Sequence, residues 1–138
     1  MSRPQTLVPA VLLIASFASI AAASHSSRRW ETDPRGVLIA IARAPEKERA
    51  RRNPYAEQRD AVLAGAKLFR EHCAECHGSD GWGSRHAANL HAADVQGATP
   101  GELEWLLRNG NIARGMPSWS GLPEPRRWQI VSYLKTMH

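Results

Sequence analysis

Apolar positions along the chain form one nearly unbroken block and three periodic stretches. The block spans residues 7–23, interrupted by Pro9, Ser16 and Ser19. The first periodic stretch has Val62, Ala66, Phe69 and Cys73 at helical spacing, predicting a helix from about Glu57 or Asp60 to Cys73. The second contains Leu103, Leu106 and Leu107. It opens on Thr99, Pro100 and Glu102, a T-x-x-E capping box with proline in the first turn, and closes at Asn109-Gly110. The third starts near Pro123 to Pro125 and runs to the C-terminus. Trp128, Val131 and Leu134 share one of its faces, with Ile130 and Met137 beside them.

What lies between is polar and broken. Gly78, Gly81, Gly83 and Gly97 punctuate the segment from Gly78 to Gly97, and a second loop covers Asn111 to Gly121. Residues 25–56 are charged and divided by Pro34, Pro45 and Pro54. Within them, Val37-Leu38-Ile39-Ala40-Ile41 reads as a strand or a packing segment, and Ala44 to Asn53 as a short solvated helix. The stretch as a whole reads as a tether or as a wrap against the rest. Three helices joined by two loops make an all-α plan.

The 7–23 block follows Arg3 and ends in Ala21-Ala22-Ala23, the small-x-small pattern of an export signal over residues 1–24. Its length is at the lower limit for crossing a bilayer, so an uncleaved anchor is the alternative. Either form puts the remainder outside the cytoplasm, periplasmic and either soluble or membrane-attached through residues 7–23. The remainder divides into a 25–56 extension and one domain over 57–138, because about 114 residues support one core and not two. Without residues 1–24 the chain has seventeen Lys and Arg against thirteen Asp and Glu. That moderate excess suits an acidic partner surface. The basic residues form no stripe interleaved with aromatics, so no nucleic-acid partner is expected.

Both cysteines lie in Cys73-Ala74-Glu75-Cys76-His77, and C-x-x-C-H reads as a c-type haem attachment site. Two thiols one helical turn apart can each add to a vinyl group of one porphyrin, with the next imidazole beneath the iron. A thioredoxin-like dithiol would need flanking strands, which this chain barely offers. His77 is the expected proximal ligand. Its second nitrogen needs an acceptor, expected from a backbone carbonyl around Ala87-Ala88. For the sixth position Met116 is the candidate, between Gly115, which permits close approach, and Pro117; histidine ligation or none are the alternatives. Met1 and Met137 are on the signal and the last helix. His72, His86, His91 and His138 read first as peripheral or solvated. Trp82, Arg85, Trp105 and Trp119 are candidates for lining a haem pocket or bonding propionates, with core packing an equal reading for the tryptophans.

From about Asp60 to Met137 the chain resembles a class I cytochrome c. The resemblance rests on Cys73-x-x-Cys76-His77-Gly78, the Gly115-Met116-Pro117 loop and the two terminal helices. It implies a cytochrome c fold of three to five helices around one haem c bound through Cys73 and Cys76, with His77 and Met116 as axial ligands. It also implies that Gly65 and Phe69 pack against Ile130 and Tyr133. Relatives often have a proline shortly before the leucine of the first loop; here Ala87-Ala88-Asn89 precede Leu90. The implied function is one-electron transfer, with no catalytic residue, to redox partners such as a dehydrogenase, an oxidase or another cytochrome. Two alternatives are a subunit working only inside such a complex, and a haem sensor or peroxidase-like protein with a labile sixth ligand.

Overall fold

Two long helices cross where one of them has no side chain. In a computed structural model that describes residues 34–138, α3 (Arg59–His72) packs across α7 (Glu124–Leu134). A Cβ at Gly65 would overlap the Gln129 carbonyl oxygen and lie 3.0 Å from Tyr133 Cβ. Phe69, wholly buried, fills the crossing one turn later, its ring 5.4 Å from that of Tyr133. The implied packing of Gly65 and Phe69 is therefore present at Tyr133, with Gln129 backbone as the nearest neighbour of Gly65 and Ile130 in the same core as Phe69. The expected export signal or anchor at 1–24, and residues 25–33 of the extension, lie outside the described residues.

Before α3 come α1 (Pro34–Ala42) and α2 (Glu46–Arg49). After it come α4 (Ala74–His77), α5 (Ala93–Gly97), α6 (Pro100–Asn109) and a 3₁₀ turn at Ile112–Arg114, then α7. Among the described residues there is no strand, and the all-α plan holds with more short helices than the three to five expected. Only an isolated bridge pairs Asn111 with Met116. α6 starts with the full capping box, Thr99 accepting from Glu102 N–H and Glu102 from Thr99 N–H, and it ends on Gly110 at φ 71°.

Three expectations need correction. Of the two readings of the Gly36 to Ala42 run the strand fails and the packing segment holds, in helical form: Val37, Ala40, Ile41 and Ala44 recur at helical spacing and pack inward. On α3 the buried positions are Ala61, Gly65, Leu68 and Phe69, with Val62 and Ala66 only half-buried. The stripe is rotated because the glycine, invisible to an apolar count, marks the line of contact. The Ala44 to Asn53 piece forms the short helix α2, but it is not simply solvated.

That piece is fixed by a buried acid. Glu104 on α6 has no exposed surface. It is met by Arg127 of α7 at 2.8 Å, Arg51 at 3.3 Å and, more distantly, Arg108 at 4.0 Å. Arg51 also pairs with Glu48 at 3.3 Å and with Glu124, and its guanidinium lies over the Trp128 ring. A buried carboxylate is tolerable only with such partners. Asn53 adds hydrogen bonds to Trp128 O (3.1 Å) and Ser132 Oγ (2.9 Å). Residues 34–56 thus wrap the helices around Trp128 and complete their polar interior.

Replacing Gly65 by valine should cost about 3 kcal/mol through overpacking at a backbone contact, read as a lower melting temperature by thermal denaturation. A second expectation concerns acid. Burial alone would raise the Glu48 carboxyl, but hydrogen bonds and charge from Arg51 and Arg108 hold it below its ordinary value of 4.5. The Trp128 indole and then Arg51 do the same for Glu124, against some burial. Depressed carboxyls stabilise the fold fully above the unfolded value and lose that contribution as pH falls through the folded one. Arg51→Leu should therefore cost about 1–2 kcal/mol at neutral pH. It should also flatten the loss of stability below pH 4.5, and an unchanged acid slope in urea titrations would count against the network.

Candidate functional site

The Cys73–His77 segment begins where α3 ends. The Cys73 N–H bonds to Phe69 O at 2.8 Å, and α4 continues one further turn through Cys76 and His77. Cys73 is half-buried against the core, Cys76 is exposed, and the two thiols are free. Burial, with the Cys76 thiolate charge added, pushes the Cys73 thiol up to about 11. Such a thiol stays protonated at neutral pH and is a poor free nucleophile, unlike the attacking cysteine of a dithiol enzyme. Among the described residues no group of three or more His, Cys, Asp or Glu side chains converges as a metal-ion cage.

His77 is half-buried and held by one nitrogen. Its Nδ1 lies 2.9 Å from the Ala88 carbonyl oxygen, the partner expected from the loop. Burial lowers the imidazole's affinity for a proton, and the Ala88 bond opposes that only in part. A neutral ring donating from Nδ1 to Ala88 has its lone pair on Nε2, the state a metal-binding histidine needs.

The Ala88 carbonyl has its own support. Gly83 N–H bonds to His77 O (2.8 Å), Ser84 N–H to Ala87 O (3.0 Å) and Leu90 N–H to Gly81 O (2.8 Å). Gly83, at φ 85°, lies directly under residues 87–89; a Cβ there would be 2.8 Å from Ala87 O, Ala88 C and Asn89 N. His91 closes the loop, its Nε2 2.8 Å from Asp80 O and its ring stacked on Trp82 at 4.2 Å. His91 is therefore a loop clamp and not simply solvated.

Met116 is half-buried in the second loop, packed against the same core as Cys73 and Ala74. Reciprocal backbone bonds with Asn111 (2.9 and 3.1 Å) close its turn, and Gly115 takes the left-handed conformation at φ 82°. That backbone angle is reason enough for a glycine there. Trp119 N–H bonds to Leu107 O at 2.8 Å, and its ring lies 5.2 Å from that of His72, the residue before Cys73. The second loop thus packs against the end of α3, directly before Cys73. Trp82 is mostly exposed, and Trp105 and Trp119 are half-buried. Sequence reasoning missed the His72–Trp119 contact, the His91 clamp and the role of Gly83. Only the glycine left a trace in the chain, as one breaker among several.

The family profile described as Cytochrome C oxidase, cbb3-type, subunit III matches residues 60–134. Cytochrome c550 of Pseudomonas aeruginosa is 29% identical over 91 residues, 63% of this chain and 63% of its own length. The cbb3-type cytochrome c oxidase subunit CcoP of Rubrivivax gelatinosus is 30% identical over 71 residues, 51% of this chain and 23% of its own. The chain thus spans under two thirds of the first of these relatives and about a quarter of the second. No solved structure matches it.

Gly83→Ala should cost about 2 kcal/mol or more from the positive φ and the displaced 87–89 backbone. Exchange of the His77 Nδ1–H, followed by NMR, should accelerate with it. Gly97→Ala, with nothing within 4 Å of the added carbon, is the control and should change neither.

Proposed function

Because this chain belongs to the cbb3-type cytochrome c oxidase subunit III family of c-type cytochromes, we propose that it is a one-electron carrier with His/Met ligation of a single haem c. Its haem-based electron transport follows from the family; the ligands, attachment points and partners are our assignment. When bound, the haem supplies a one-electron couple at iron. Cys73 and Cys76 would hold it by thioethers, His77 would offer Nε2 and Met116 its thioether. The residues fit that group: two free thiols on one turn, an imidazole with Nδ1 already committed, and a soft neutral donor on a loop backed by the same core.

The observation that carries the reading is the His77–Ala88 hydrogen bond directly after the paired thiols. It fixes the ring's rotation and tautomer before any metal chemistry, which limits rearrangement when the charge at the site changes. The core of Phe69, Leu103, Leu107 and Ile130 keeps water from one side of the attachment segment. Met116, whose turn is closed by backbone bonds with Asn111, would offer its thioether from a loop packed against that core. A bound thioether favours the reduced state compared with a second imidazole.

Similarity to an oxidase subunit favours a second reading, in which the chain works only within a dehydrogenase or oxidase complex. Residues 1–24 act in both readings as an export signal or retained anchor that delivers 57–138, with its 25–56 extension, to the periplasm. Copurification with a membrane oxidase would select the second reading.

Met116→Ala should abolish the far-red methionine–iron band of the oxidised protein and convert the iron toward high spin. The reduction potential should fall on the order of 100 mV, a fraction of the roughly 0.8 V that axial ligands command. Wild-type protein that lacks the band and binds cyanide readily would instead indicate a labile sixth position.

A further inference from the structure

The charge of this chain is not spread over it. Residues 53–138 contain nine Lys or Arg and nine Asp or Glu, so the part carrying the candidate site is formally neutral. Residues 28–52 contain eight basic residues against four acidic ones. Apart from Arg3, the whole positive excess is in that segment.

The same segment exposes aliphatic surface. On α1, Ile41 and Ala40 are buried, whereas Leu38 is 49% exposed and Ile39 55% exposed. Positions 38, 39, 42 and 43 recur at helical spacing and are all exposed, so Arg43 flanks the apolar pair on the same side. Not every basic residue nearby is available. Arg51 is committed to carboxylates, and Arg49 donates to the Ala44 (2.7 Å) and Ala42 (2.8 Å) carbonyls. Arg43, Lys47 and Arg52, by contrast, are exposed and make no ion pair among the described residues. In the groove between α1 and α5 beside Leu38, Glu102 is occupied by Thr99 and Arg49, leaving Asp94 as the acid there.

We propose that this outward face of α1, with the basic residues of the α1–α2 segment, docks on an anionic lipid bilayer. Exposed aliphatic side chains between cations match the two layers of such a surface, acyl boundary and phosphate. A second copy is a poorer occupant, because its matching face would bring the same positive charge. The face would hold the domain at the membrane by a contact separate from residues 7–23. It also lies on an element apart from α4 and the Met116 loop, so docking leaves those loops available to a redox partner.

The test uses the haem-loaded protein as purified from its producing cell. It is sedimented with vesicles of phosphatidylcholine alone, and with vesicles of phosphatidylcholine and phosphatidylglycerol. Binding to the anionic vesicles should be at least about tenfold tighter and should weaken with salt. Leu38→Ser/Ile39→Ser and Arg43→Glu/Lys47→Glu should each weaken it by about tenfold, with the haem spectrum unchanged. The proposal is overturned by absence of binding, or by equal binding to both vesicle types that neither variant alters, which assigns attachment to residues 7–23. It is equally overturned if Leu38→Ser/Ile39→Ser abolishes a dimer seen by light scattering, or lowers the melting temperature while binding persists. Those results identify a second copy, or another segment of the chain, as what covers the face.

Discussion

Everything else in the fold depends on the contact between Gly65 and the Gln129 carbonyl. Two helices whose backbones approach this closely leave no room for a side chain at the crossing, so their relative position is set by main chain and not by adjustable rotamers. Phe69, one turn further on, is then fully enclosed, and the end of α3 is fixed with it. Because the Cys73 N–H is bonded to the Phe69 carbonyl, the rigidity of the crossing passes directly into the attachment turn. Under the proposed function, a chain that would hold a large planar group by two thiols and one imidazole needs such a reference point, and here it is two residues of packing and one hydrogen bond away.

The first loop is held in place without the proline that the resemblance to class I cytochromes c implies. Ala87, Ala88 and Asn89 have no intrinsic stiffness, yet the Ala88 carbonyl reaches His77 at 2.9 Å. Stiffness is supplied from below, by Gly83 in a backbone conformation that lets its chain pass against residues 87–89, and from the side, by His91 on Asp80 O and Trp82. Close backbone contact and a stacked ring pair restrain the loop where no residue's φ is fixed by a ring.

How much of this was legible follows from the range of each interaction. The capping box of α6, the end at Gly110 and the Ala88 acceptor depend on residues near in sequence or on a backbone group every residue has, and they read directly from the chain. The apolar stripe on α3 was misjudged by about one position because its centre is a glycine, which carries no hydrophobic signal. Leu38 and its neighbours read as a strand or a packing segment because a five-residue apolar run shows no period; burial of Ile41 and Ala44 at helical spacing makes it a helix. The His72–Trp119 contact joins residues 47 apart and has no local mark at all.

Glu104 is the clearest case of a residue whose meaning is tertiary. As text it is one more carboxylate on a helix surface, four residues before Arg108 with the order of an exposed pair. In the fold it is the sealed centre to which α6, α7 and the segment around Arg51 all contribute charge. A boundary drawn at residue 57 by composition would therefore cut through this network and strip Glu104 of one of its two closest cations. Losing a partner from a buried charge costs more than the pair contributes when intact, so the segment around Arg51 is part of the domain's interior, not a tether. The charge of residues 28–52 likewise has no single meaning as a sum. Arg49 and Arg51 are spent inward on carbonyls and carboxylates, while Arg43, Lys47 and Arg52 remain on the surface. One short basic stretch thus does two different things, and only the positions of its partners distinguish them.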